Sequence, residues 1–145
     1  MQDVKRLRVW ELALQLTDAV IDQLQPARSR RVPGLRSQAI RAVTSVGANL
    51  AEGCARSSRG EFLHFVEIAI GSLGELEFHL LVARNARIIP VDCHVRLDRQ
   101  LNTLRRMLIA LTRTLQRRIA EDESIRRDQS ASRHGSASPI DSQRR

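Results

Sequence analysis

Tyrosine is absent from this chain, and one tryptophan with three phenylalanines leaves aromatics at 3% of residues. Leu, Ile, Val and Ala supply nearly all the apolar surface, a mix that favours helices over sheets. Cys54 and Cys93 stand alone, so neither a zinc knuckle nor a redox pair is written here, and both read as ordinary reduced thiols. No run of about 18 apolar residues occurs, and the charged N-terminus lacks the apolar segment of a signal peptide, so a soluble cytoplasmic protein without a membrane partner is expected. A glycine-rich phosphate loop is missing too. Gly71-Ser72-Leu73-Gly74 is one residue short of a nucleophile elbow and no strand precedes it. Glu61-x-x-His64 is half of a di-iron signature, but no other glutamate has a histidine three residues on. The expectation is a non-enzyme with no cofactor and no metal, with Glu61 serving as a first-turn acid.

What is present is length for one domain and a strong positive charge. The 145 residues can build a real core. A net charge of +8 points to an anionic partner, most often nucleic acid. Of the 24 basic residues 23 are Arg, a bias that a GC-rich genome also produces.

Periodicity divides the chain into four helices. The first runs over 4 to about 25, with Leu7, Trp10, Leu14, Thr17, Ile21 and Leu24 as its core seam and Trp10 as an anchor, and Gln25-Pro26 ends it. A basic loop with Arg28, Arg30 and Arg31 follows. The second helix starts at Pro33 or Gly34 and runs to about Arg56. The third covers about Gly60 to Ala86, and its Gly71 and Gly74 suggest another backbone passing close by. The fourth covers about Val91 to Glu121, with Leu97, Leu101, Leu104, Leu108, Leu111 and Leu115 as its seam. From Asp122 the composition turns to Ser, Arg, Asp, Gln and Gly without apolar period, which predicts a disordered tail over 122–145 behind a bundle over 1–121. Short connections make the expected fold all-α, an antiparallel up-down-up-down four-helix bundle.

Two helices carry more than one working face. Gln38, Ala42, Ser45, Asn49 and Glu52 form a small, polar stripe beside the apolar stripe Ala39, Val43, Val46 and Leu50. In the next helix Phe62, Phe65, Ala69, Ser72 and Leu76 lie beside Leu63, Val66, Ile70 and Leu73. One core cannot use all of this, so self-association is expected. Gln38, Arg41, Ser45, Asn49, Glu52, Ser72 and Glu75 are candidates for a polar network, either inside one protomer or across an interface. Glu75 and His79 read as a surface or interface pair.

The candidate nucleic-acid surface is the fourth helix. Arg105, Arg106, Arg113, Arg117 and Arg118 occur with no acid between 105 and 118. Arg99, Arg106 and Arg113 repeat every seven residues, and Arg117 extends the stripe. No aromatic residue interleaves, so contact with RNA or DNA should be to phosphate and weakly sequence-specific. The alternatives are a solvated basic face on a purely protein-interaction or structural assembly with an unknown protein partner, and a DNA-binding regulator. The latter rests on Leu50 to Phe62, which looks like a helix-turn-helix, although the following helix carries a net charge of −2 from Gly60 to Arg87.

Several motifs together resemble the bacterial four-helix-bundle proteins encoded within intervening sequences of large-subunit (23S) ribosomal RNA genes. They are Leu7-x-Val9-Trp10, Leu35-x-x-Gln38-x-x-Arg41-Ala42-x-x-Ser45, Asn49-x-Ala51-Glu52-Gly53, Arg56, Glu61-Phe62-x-x-Phe65 and Ala69-x-Gly71-Ser72-x-x-Glu75-Leu76. The resemblance covers about residues 5 to 90 in register, and the last long helix agrees only by pattern. Val4 and Lys5 stand where the family often has Phe. The resemblance implies an antiparallel four-helix protomer, a homopentameric ring and no known catalysis. It also implies distant similarity to the accessory variability protein of diversity-generating retroelements, which binds reverse transcriptase and nucleic acid.

Overall fold

The computed structural model describes residues 7–135, with side chains to 132, and among them every regular element is a helix. Helix α1 spans Arg8–Gln23, α2 Pro26–Ser29, α3 Leu35–Ala55, α4 Arg59–Asn85 and α5 Val91–Gly135. Each boundary has a local cause. Pro26 ends the first helical run and itself opens α2, a single turn where a plain loop was expected. Gly34, at φ +81°, supplies the left-handed residue from which α3 starts. Ser58 caps α4 by accepting from the Glu61 N–H at 3.1 Å, and its hydroxyl donates back to the Glu61 carboxylate at 2.9 Å. That exchange occupies Glu61 in a helix cap.

Helix α1 packs on α3 and α5, and α4 on α3 and α5, around one continuous core. Leu50, Leu73, Leu76, Leu101, Leu104 and Leu108 are completely enclosed. Burying each such side chain contributes roughly 1.5–3 kcal/mol. The leucine seam read in α5 is the buried one, with Leu111 only half-buried.

The first helix departs from its expected phase. Its buried residues are Val9, Ala13, Leu16 and Val20, followed by Leu24, whereas Leu14 is 48% and Ile21 39% exposed. Trp10 is half-buried against the edge of the core and no central anchor. Both series step by three and four, so spacing alone did not choose between them. The inner series contains the smaller Val9 and Ala13, and Ala13 lets α1 approach its neighbours closely.

The last helix departs in length. Continuous helix runs through Glu121 to Gly135, so residues 122–135 are helical rather than irregular, while 136–145 of the expected tail lie outside the described residues. Every side chain from Glu123 to Ser132 is exposed. Absence of an apolar period goes with that exposure over 123–132. It does not forbid a solvated helix extended from a packed one, because propagation avoids the cost of nucleation.

Candidate functional site

The arginines of α5 divide into two groups. Arg99, Arg106, Arg113 and Arg117 are exposed on the face opposite the buried leucines, whereas Arg118, also exposed, continues the line of the leucine seam three residues past Leu115 and does not belong to that outward row. Arg105 is different: it turns to Glu77 of α4 at 2.6 Å and donates to Asn102 Oδ1 at 3.0 Å, half-buried between the two helices. It holds the helices together and does not belong to the outward stripe. Arg117 reaches Glu121 only at 3.8 Å on its own helix, an exposed pair of little energetic weight. Arg99 lines a cleft of about 200 Å³ between α1 and α5 with Leu12, Gln15 and Thr103.

The start of α5 is charge-compensated. Arg96 donates to Asp92 at 2.9 Å, and that hydrogen bond holds the Asp92 carboxyl below its ordinary range and the guanidinium above its own. The free basic surface therefore begins beyond the first turns of the helix.

The polar network forms only in part, and its formed part lies inside one chain. Ser45 Oγ and Ser72 Oγ are 2.9 Å apart across α3 and α4, and Asn49 Nδ2 donates to the Ser45 hydroxyl and carbonyl at 3.0 and 2.8 Å. Ser72 also donates to the Ile68 carbonyl. Gln38 and Arg41 are exposed and outside this cluster. Glu52 is engaged by Arg56, the residue that caps the end of its helix, and Glu75 lies 3.5 Å from His79 Nε2. A hydroxyl pair with an amide fixes the α3–α4 register but offers no nucleophile with an adjacent base.

One close packing contact escaped the sequence reading. A β-carbon on Gly53 would come within 2.7 Å of Phe62 Cδ2 and 2.9 Å of Phe65 Cβ, so this glycine lets the α3–α4 corner close. The Arg56 guanidinium covers the outer face of that corner, 5.2 Å from the Phe65 ring centroid. Gly71 and Gly74 show the reverse: nothing lies within 4 Å of a β-carbon at either, so the neighbouring backbone expected there is not supplied by the described chain.

Apolar side chains remain uncovered around these glycines and along α1. Phe78 is 63% exposed, and Ile68 and Leu81 share its side of α4. Trp10, Leu14, Thr17, Thr44, Gly47 and Ala51 line an open groove between α1 and α3 of about 310 Å³.

The helix-turn-helix alternative fares poorly. Gly53 against Phe62, Ser45 against Ser72, and Arg31 just before α3 donating to the Ala86 carbonyl just past α4 at 3.1 Å show α3 and α4 lying side by side over their lengths. A recognition helix instead crosses its partner steeply and projects from it. Among the described residues no three metal-ligating side chains cluster, and no helix is long and apolar enough to cross a membrane.

Comparison with known proteins adds a family and a fold. The model of the 23S rRNA-intervening sequence protein family matches residues 5–110, which extends the similarity beyond the third long helix into α5. A crystal structure of a protein of unknown function from the S23 ribosomal protein family of Bacteroides thetaiotaomicron superposes with a TM-score of 0.65 at 20% identity, covering 72% of this chain and 97% of that one. At that identity the likeness concerns the fold. No curated protein matches the chain.

Proposed function

The chain belongs to the 23S rRNA-intervening sequence protein family, and from that premise we propose that it is a non-enzymatic, cytoplasmic four-helix-bundle protein that self-associates and binds RNA or DNA non-specifically through α5. The proposed protomer is antiparallel, up-down-up-down. Its support is the order of the cross-helix pairs: Arg59 early in α4 meets Asp122 late in α5, and Glu77 later in α4 meets Arg105 earlier in α5.

The observation that carries the binding reading is the row Arg99, Arg106, Arg113 and Arg117, exposed on one long helix whose other face is buried leucine. Seven residues of helix advance about 10.5 Å, so successive guanidinium groups meet phosphates along a strand and not one compact anion. A pentamer repeats that row around a ring, and multivalency then strengthens a modest contact. Self-association has its own support in exposed Phe78, Ile68 and Leu81 beside glycines that nothing among the described residues covers. The same faces favour a second reading, an assembly that engages a protein partner through apolar surface and uses the arginines for solubility.

Charge reversal separates the two. Arg106→Glu, Arg113→Glu and Arg117→Glu together should abolish binding of RNA and DNA in a mobility-shift titration while circular dichroism and light scattering stay unchanged. A triple variant that binds nucleic acid as tightly as the original chain refutes the α5 reading, and a monomer mass at micromolar concentration refutes self-association.

A further inference from the structure

A second cationic feature lies away from the α5 row, where α2 meets the connection between α4 and α5. The exposed Arg28, Arg31, Arg84 and Arg87 line an open cavity of about 430 Å³ together with the buried Ile88 and Ile89. No acidic residue lines it, and among the described residues none of these arginines has a carboxylate partner. Elsewhere Arg56, Arg59, Arg96 and Arg105 each meet one.

The backbone supplies an independent sign. Arg87 has φ +56° at the position just past the cap of α4, where glycine is favoured. The Ile88 N–H donates to the Ala83 carbonyl at 2.8 Å and the Arg87 N–H to the Arg84 carbonyl at 3.0 Å, so the turn is complete through its main chain. Nothing in it requires a guanidinium, yet an arginine occupies the left-handed position. Capping does not account for the cluster either. The carbonyls of Val82, Ala83 and Arg84 are taken by backbone N–H groups and that of Ala86 by Arg31, which leaves Arg28, Arg84 and Arg87 without such a task.

We infer that this cavity is a binding site for a compact oligophosphate, the di- or triphosphate carried by a nucleotide or by the 5′ end of an RNA. Guanidinium groups arranged around one space suit negative charge concentrated on adjacent phosphoryl groups, each able to accept paired N–H donors. The site is independent of the α5 row, whose spacing suits a strand.

Inorganic triphosphate titrated calorimetrically into the full chain at low salt tests it. The expected result is saturable binding that added salt weakens. The double substitution Arg28→Gln, Arg84→Gln should weaken it at least about tenfold, as loss of charge-assisted bonds requires. Arg87→Gly should weaken binding too, while its melting temperature equals or exceeds that of the original chain, because glycine relieves the left-handed backbone. The α5 triple variant should bind triphosphate unchanged, so failure of one site is distinguishable from failure of the other. Titrations with a nucleoside triphosphate, a 5′-triphosphate RNA and the same RNA with a 5′-hydroxyl assign the source: preference for the capless triphosphate RNA points to an RNA end, and preference for the nucleotide to a free ligand. Absence of saturable triphosphate binding, or unchanged affinity in both variants, would overturn the assignment.

Discussion

Gly53 shows how a single hydrogen atom sets the closure of a helix pair. Alanine there gains helix propensity of about 1 kcal/mol, but its β-carbon meets the Phe62 ring and the Phe65 β-carbon below 3.0 Å. Phe62 is buried and the Phe65 β-carbon is fixed to the α4 backbone, so the clash wins and Gly53→Ala should destabilise by about 1–3 kcal/mol in chemical denaturation. Equal or greater stability would mean the α3–α4 corner is looser than drawn. At this scale residue types were legible and their partners were not. Ser45, Asn49 and Ser72 fell on suitable stripes, and two of the three hydrogen-bond across helices. Gln38, Arg41, Glu52 and Glu75 shared the stripe pattern but lie at its exposed margin, because a helix stripe spans both a contact line and its edge. Arg105 likewise looked like its neighbour Arg106, although one helical step of about 100° separates a cross-helix ion pair from open solvent.

Among the elements, α1 is where sequence period was least decisive, since two interleaved series both keep helical spacing. The observed phase predicts that Leu14→Gln and Ile21→Gln leave the stability of the protomer within about 0.5 kcal/mol, as for exposed positions. Leu16→Ala should instead cost about 2–5 kcal/mol because Leu16 is enclosed. The opposite ranking in urea denaturation would restore the outer seam. For α5, the leucine seam located the packed part well, since large γ-branched residues at a coiled-coil spacing have no other use. Its end was hidden, because a solvated helical extension carries no apolar pattern. Amides beyond the Arg59–Asp122 pair should exchange far faster than those from Leu101 to Leu108, where side chains are completely enclosed. Uniform protection through residue 132 would show a partner for the overhang.

The molecule as a whole was legible as all-helical from composition and period, while its surfaces became distinct only after folding. Arg28 and Arg31 are separated from Arg84 and Arg87 by more than fifty residues of sequence, and only the meeting of α2 with the end of α4 brings them to one cavity. The α5 row, by contrast, is local in sequence and needed the fold only to show which arginines stay free. The nucleic-acid binding proposed for this row is tested most directly by the salt dependence of affinity for single-stranded RNA. Each phosphate contact contributes about 0.7 to the slope of log K against log salt concentration. Replacing Arg106, Arg113 and Arg117 with Gln should therefore lower the slope by about 2 and weaken binding at low salt, with helicity retained. An unchanged slope and affinity in that variant would contradict the account.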